Sequence, residues 1–192
     1  DLLDALGLEH APVIATSFGG YLGLRSAAAH PDRVDRLLLF GFSVGAPIRH
    51  TPLVMRVGSV PWVVRLMAKV PPTERMARSV LKGIGLRDAV ASGRVTPEMV
   101  GWFLSLLRDT DTLSNEVSSL PRIMTMWRGM NERVLIPSEL LGRITVPTHL
   151  LWGESDPFGG ADTAREFAAH LPNADLEMMP GGHAVWMDDA ER

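Results

Sequence analysis

Three side chains in this sequence are of the types that together turn a hydroxyl into a nucleophile: Ser17, Asp156 and His183. A serine hydroxyl attacks poorly until a base takes its proton, and an imidazole base works best when a third group orients it. The three are far apart in the chain. Each, however, stands just after a short apolar run, in a turn rich in small residues. The turns are Ala15-Thr16-Ser17-Phe18-Gly19-Gly20, Gly153-Glu154-Ser155-Asp156-Pro157 and Pro180-Gly181-Gly182-His183.

Ala11-Pro12-Val13-Ile14 reads as a buried strand, and residues 21–30, rich in Ala and Leu, as a helix that Pro31 ends. A serine at such a hinge occupies the place of a nucleophile elbow, where a strained turn lifts Oγ clear of the sheet. Residues two before and two after must then be small, and here they are Ala15 and Gly19. Gly20 lets the helix approach the strand. The helix N-terminus would favour negative charge at the site. A serine before a helix also serves as a plain N-cap, so this stretch alone leaves both roles open. Residues 34–40 form a second buried strand closed by Gly41, which makes a strand–helix–strand unit of a parallel sheet. Residues 148–152 and 175–179 read as two more strands, joined by a helix over 163–170. The C-terminal ends of strands in an open parallel sheet share one edge, where ligands bind. The expectation is therefore that Ser17, Asp156 and His183 meet there.

Between residues 47 and 142 the texture changes. Strand runs vanish, and helical patterns at 53–59, 62–68, 73–82, 97–108 and 116–130 are punctuated by proline. Thr96-Pro97-Glu98 is a helix start, with an N-cap, a proline at the first helical position and an acid in the first turn. Pro71-Pro72 is a break, and Pro121 is expected to kink or split the last helix. Residues 83–87 and 109–113 read as connecting loops. The expected organisation is an α/β core over 1–46, a helical cap or lid insertion over 47–142, and the rest of the core over 143–192. The insertion carries 13 Lys and Arg against 8 Asp and Glu, whereas the whole chain has a net charge of -3. Solvated helix faces or a docking face for an anionic surface both account for that. Seven of the ten Met and three of the five Trp also fall in it. Trp62, Met67, Trp102, Phe103, Met126, Trp127 and Met130 are either an apolar pocket lining or the insertion's own core.

The absence of cysteine excludes disulfides, a cysteine nucleophile and thiolate metal sites. The slightly acidic balance argues against a generic nucleic-acid binder. No apolar run reaches the length of a membrane span, since Arg65 interrupts the best candidate near residues 60–67. The chain starts without Met and mid-pattern, and is expected to be a piece of a longer protein. Localisation stays open, with the cytoplasm slightly favoured.

Taken together, Ala-Thr-Ser-Phe-Gly-Gly at 15–20, Ala-His-Pro-Asp-Arg-Val at 29–34, Val-Pro-Thr-His-Leu-Leu-Trp-Gly-Glu-Ser-Asp-Pro at 146–157 and Gly-Gly-His-Ala-Val-Trp-Met-Asp-Asp-Ala-Glu-Arg at 181–192 resemble the α/β-hydrolase fold family, in its capped, esterase-like form. Ala15 departs mildly from the glycine usual there. The order Ser, then Asp, then His is the order of that family. The resemblance implies Ser17 as nucleophile, His183 as general base and acid, and Asp156 as the group that orients the imidazole. It implies an oxyanion donor at the backbone N–H of Phe18, and a second from a loop that precedes the elbow and lies outside this sequence. Phe18, Trp102 and Trp127 are the candidate substrate-binding side chains.

Other placements are weaker. His10, His30, His50 and His170 fall in turns or helices away from the strand-end edge, and His149 reads as a packed core histidine. Some relatives place the acid after the strand that follows the elbow, but Gly41-Phe42-Ser43 offers no carboxylate there. Glu154 stands beside Asp156 without holding the family position before Pro157. A serine nucleophile separates this chain from dehalogenases and epoxide hydrolases of the same fold, which carry Asp. The expected function is hydrolysis of an apolar ester or related acyl compound through an acyl-enzyme, with no metal or cofactor. The resemblance also admits a carbon–carbon bond hydrolase, an acyltransferase, a cofactor-free perhydrolase, or a ligand-binding member that has lost turnover.

Overall fold

The computed structural model describes residues 2–41, 44–47, 56–57, 59–67, 69–127 and 129–188. Among them the strands are, in chain order, β1 (Ala11–Thr16), β2 (Val34–Phe40), β3 (Met124–Thr125), β4 (Gly129–Met130), β5 (Thr148–Gly153) and β6 (Ala174–Met179). The α-helices are α1 (Leu2–Ala5), α2 (Phe18–Ala29), α3 (Pro61–Met67), α4 (Glu74–Leu81), α5 (Arg87–Ser92), α6 (Pro97–Asp109), α7 (Thr112–Ile123), α8 (Ser138–Leu141), α9 (Ala161–Ala168) and α10 (Val185–Asp188).

Four of the strands form one parallel sheet in the order β1-β2-β5-β6. Their apolar runs lie side by side in register: Ala15 beside Leu39, Leu39 beside Leu150, Leu150 beside Leu176. One face is covered by α2, α8 and α9. Leu24, Leu37, Leu39, Leu141, Leu150, Trp152 and Phe167 form a single buried core there. Apolar side chains taken out of water in this way are the main stabilising term of a fold. Close approach of α2 needs glycine at position 23, where a methyl group would already press at 3.3 Å on Val13 Cγ1. The chain is therefore a layered α/β fold whose strand C-termini all leave the same edge of the sheet.

The stretch between β2 and β5 is mainly helical and has its own buried cluster of Ala77, Leu81, Leu86, Ala89, Val95 and Val100, joined by Ala184 from beyond β6. Thr73 and Thr96 cap α4 and α6, each accepting a backbone N–H from three residues on. The return to the sheet starts before residue 142, because Met130, Ile136 and Leu141 are already packed in the sheet's core.

Two local expectations are corrected. The last long helix runs Thr112–Ile123, not 116–130, and Pro121 sits in its final turn without splitting it. Two residues later the chain turns into the β3–β4 hairpin, which uses Gly129 at φ 73. Residues 83–87, expected as a connection between helices, lie at a kinked joint from α4 to α5, where Ile84 and Gly85 leave helical backbone geometry. Of the helix expected over 53–59, only Arg56, Val57 and Ser59 lie among the described residues, and the first two are helical. No helix among the described residues is long and apolar enough to cross a membrane.

Candidate active site

Ser17 joins β1 to α2 and adopts φ 52, ψ −116. Among the described residues it is the only non-glycine with positive φ. A non-glycine side chain is held in such a region only when its surroundings over-determine it. They do so here through several contacts. The Thr16 hydroxyl donates to the Phe40 carbonyl at 3.0 Å, and the Ser17 carbonyl accepts from Val44 N–H at 3.2 Å and Tyr21 N–H at 3.3 Å. Ala15 and Gly19 face each other, and a methyl on Gly19 would meet Ala15 Cβ at 3.5 Å. The serine side chain makes no capping bond to α2. Its hydroxyl is thus not spent on the helix, and the plain N-cap role left open by the sequence is absent.

Asp156 follows β5 in a short loop that is held at several points. The indole N–H of Trp152 donates to the Gly159 carbonyl at 2.7 Å. The N–H groups of Glu154 and Ser155 donate to the carbonyls of Met179 and Gly181, at 2.9 Å each, and so tie this loop to the one after β6. One carboxylate oxygen of Asp156 accepts the Phe158 N–H at 3.0 Å. The other lies 2.9 Å from Nδ1 of His183. The aspartate side chain is fully buried and that of the histidine is 8% exposed. In such a low-dielectric site a charge-assisted hydrogen bond is strong. Phe158 also sets its ring edge-on to the imidazole, with centroids 4.7 Å apart.

His183 packs against Gly41. Gly41 follows β2, the neighbour of β1, and its N–H is fixed to the Leu151 carbonyl at 2.7 Å. A methyl group on Gly41, which stands at φ 67, would collide with the His183 carbonyl and reach 3.4 Å from its Nδ1. Asp156 and His183 are thus in direct contact, and Ser17 follows β1 at the same edge of the sheet. No hydrogen bond links Ser17 to His183 among the described residues. Catalytic contacts in unliganded sites are often long and tighten on binding. Phe18 opens α2, where the first N–H groups of a helix lack intrahelical partners. Its half-exposed ring stacks on Tyr21 at 5.7 Å.

The remaining candidates fall elsewhere. Trp102 and Trp127 are 61% and 84% exposed, and Trp62 is 69% exposed. None of the three tryptophans is part of the intervening segment's buried cluster, so of the two roles left open by the sequence the core of that segment is not theirs. Long apolar side chains on a helix must share one face to be buried; Trp62 and Trp102 lie off that face of α3 and α6, and Trp127 stands in the turn of the β3–β4 hairpin. Phe103 does pack against that cluster, while Met130 belongs to the sheet's core. His149 is not a core residue. It is 37% exposed, pairs with Asp175 at 2.9 Å, and lies 3.7 Å from Glu177. Glu154 is exposed. Residues 42, 43 and 50 lie outside the described residues. Phe158 was missed in the sequence, although Asp-Pro-Phe after a strand is a turn in which an aspartate accepts the N–H two residues on.

A sequence profile of the Alpha/beta hydrolase family matches residues 1–192. A 2-hydroxy-6-oxononadienedioate/2-hydroxy-6-oxononatrienedioate hydrolase of Paraburkholderia xenovorans (strain LB400) is 26% identical over 196 aligned residues, which cover all of this chain and 62% of the relative. The chain thus spans about three fifths of the length of the curated relatives it matches. Among solved structures, the 2-hydroxy-6-oxo-6-phenylhexa-2,4-dienoate hydrolase from Rhodococcus sp. strain RHA1 aligns with a TM-score of 0.71 and 24% identity, over 99% of this chain and 63% of that one. A thermophilic esterase from Thermogutta terrifontis aligns with a TM-score of 0.71 and 18% identity, over 100% and 64%. At these identities the two structures speak for the fold.

Proposed function

The chain belongs to the α/β-hydrolase family, and from that premise we propose that it is part of a serine hydrolase acting on an apolar ester or related acyl compound, with residues 47–142 as its cap. One observation carries the reading: Ser17 is held at φ 52, ψ −116 with its hydroxyl free of the helix it precedes. Backbone strain of about 1–3 kcal/mol at one residue is retained where it serves a task, which supports Ser17 as the nucleophile.

In this reading Asp156 fixes a proton on Nδ1 of His183 and leaves Nε2 as the acceptor. Nε2 takes the proton of Ser17 Oγ as the oxygen attacks the acyl carbon. The oxyanion that forms is met by the Phe18 N–H and the positive end of α2. The imidazolium returns the proton to the leaving group. Water then attacks the acyl carbon as His183 takes its proton, the bond from that carbon to Ser17 Oγ breaks, and His183 returns the proton to Oγ as the acid leaves. The buried, hydrogen-bonded carboxylate stabilises the imidazolium in both halves.

A fluorophosphonate probe tests the reading. Stoichiometric labelling of Ser17 in the folded protein, abolished by Ser17→Ala, is expected; a folded protein that stays unlabelled would favour a ligand-binding role. A second reading is favoured by the relatives' names. Their 2-hydroxy-6-oxo dienoate and dienedioate substrates carry a ketone and no ester, which supports hydrolysis of a carbon–carbon bond beside a ketone by the same triad. Relative kcat/KM on a 2-hydroxy-6-oxo dienoate and on a p-nitrophenyl ester separates the two.

A further inference from the structure

The turn that carries His183 is gripped by backbone from two sides. On the sheet side, a methyl group on Gly153 would collide with the Gly182 carbonyl, and one on Gly41 with that of His183. On the opposite side the contact comes from the segment between β2 and β5. The His183 N–H donates to the Ile84 carbonyl at 3.1 Å. Gly85 stands at φ 99, and a methyl there would lie 2.8 Å from Gly182 Cα and 3.1 Å from His183 N. The approach is mutual, since a methyl on Gly182 would lie 2.6 Å from Gly85 Cα. Ala184, next after His183, is buried in the segment's own cluster. The kink at Ile84 and Gly85, where the backbone leaves helical geometry, presents bare backbone to the histidine loop.

We propose that the Ile84–Gly85 kink is a positioning element for His183, so that the imidazole is correctly placed only while the α4–α5 joint is docked. The inference rests on the proposed triad. The Ile84 carbonyl sets the height of the loop, and Gly85 lets two backbones lie flat against each other where any Cβ would push the loop away. The α4–α5 joint then stays with the histidine during turnover.

The test compares two glycines of the full chain. Gly85→Ala is expected to lower kcat on a small activated ester by roughly ten- to a hundredfold, the scale of a small misplacement of a reacting group, with KM nearly unchanged. It should also shift the downfield proton resonance of the His183 Nδ1–H. Gly93→Ala is the control. Gly93 has the same left-handed backbone, φ 81, in the same segment, with nothing within 4 Å of an added methyl. It should keep wild-type kcat and an unmoved resonance. Equal losses of kcat in both variants, or a folded Gly85→Ala with normal kcat and resonance, would overturn the proposal. Should Gly85→Ala fail to fold, amide exchange of the unaltered protein decides. The His183 N–H is expected to exchange together with Leu86 and Ala89, and exchange in step with Leu39 and Leu150 would overturn the idea. Ser17→Ala tells this proposal apart from the triad reading. Retained turnover in that variant sinks the triad, while the resonance and exchange measurements still judge the positioning.

Discussion

Oδ2 of Asp156 stands 2.9 Å from Nδ1 of His183, with the carboxylate wholly shielded from solvent. The other oxygen is held by the Phe158 N–H, so the acid is fixed at both ends. Asp156→Asn keeps an acceptor for that N–H and should leave the melting temperature within a few degrees. It removes the charge that orients the imidazole, and kcat should fall by about 10⁴. Glu154→Gln, at an exposed position, should change neither quantity. Esterase kinetics beside a thermal melt check both, and the reverse pattern would move the acid role to Glu154.

Ser17 is strained where glycine would not be. Ser17→Gly and Ser17→Ala should both abolish labelling by a fluorophosphonate. They should differ in stability, with the glycine variant the more stable by about 1 kcal/mol, since only alanine retains a Cβ at positive φ. Denaturant melts of the two side by side measure the difference. Equal midpoints would mean that the elbow stores no strain.

Trp102 and Trp127 are exposed, so Trp→Ala at either should cost little stability, within about 0.5 kcal/mol. If they line the acyl site, each change alters preferred acyl-chain length more than reactivity toward a small acetate ester. A chain-length profile of kcat/KM decides. Unchanged selectivity in both variants removes them from the site and leaves them as surface residues.

Gly45 stands at φ 103, and a methyl there would lie 2.5 Å from Ile136 Cγ1 and 3.1 Å from the Tyr21 ring. Gly45→Ala should destabilise by about 1–3 kcal/mol through overpacking. Gly83→Ala meets nothing within 4 Å and should be neutral or stabilising, by up to about 1 kcal/mol. Denaturant midpoints at constant slope test the pair.

The four sheet strands were legible because each carries a short apolar run, three of them closed by Gly41, Gly153 or Pro180, and the observed ends differ from the expected ones by at most two residues. With strand directions known, the turns holding Ser17, Asp156 and His183 had to share an edge. The β3–β4 hairpin was not legible, because two-residue strands have no periodicity to read. The exposure of Trp62, Trp102 and Trp127 was hidden for a different reason. Composition tells which segment holds aromatic residues but not which way they face once α6 packs on α4. The meeting of Gly85 with Gly182 left no local trace either, since nothing in either tripeptide names its partner.

β2 and β5 are neighbours in the sheet, yet the chain leaves at Phe40 and comes back only at Thr148. This separation orders events during folding. The unit β1-α2-β2 is local and can form early, whereas pairing β5 must close a very long loop, and such non-local contacts slow a folding reaction. The intervening helices shorten that search if they collapse first on Leu81, Leu86 and Ala89. Asp156 and His183 both come after β5, and so the site is completed last. Ser17 can reach its turn in a nascent chain well before His183 is in place, so under the proposed triad its hydroxyl stays inert until β5 and β6 have joined the sheet.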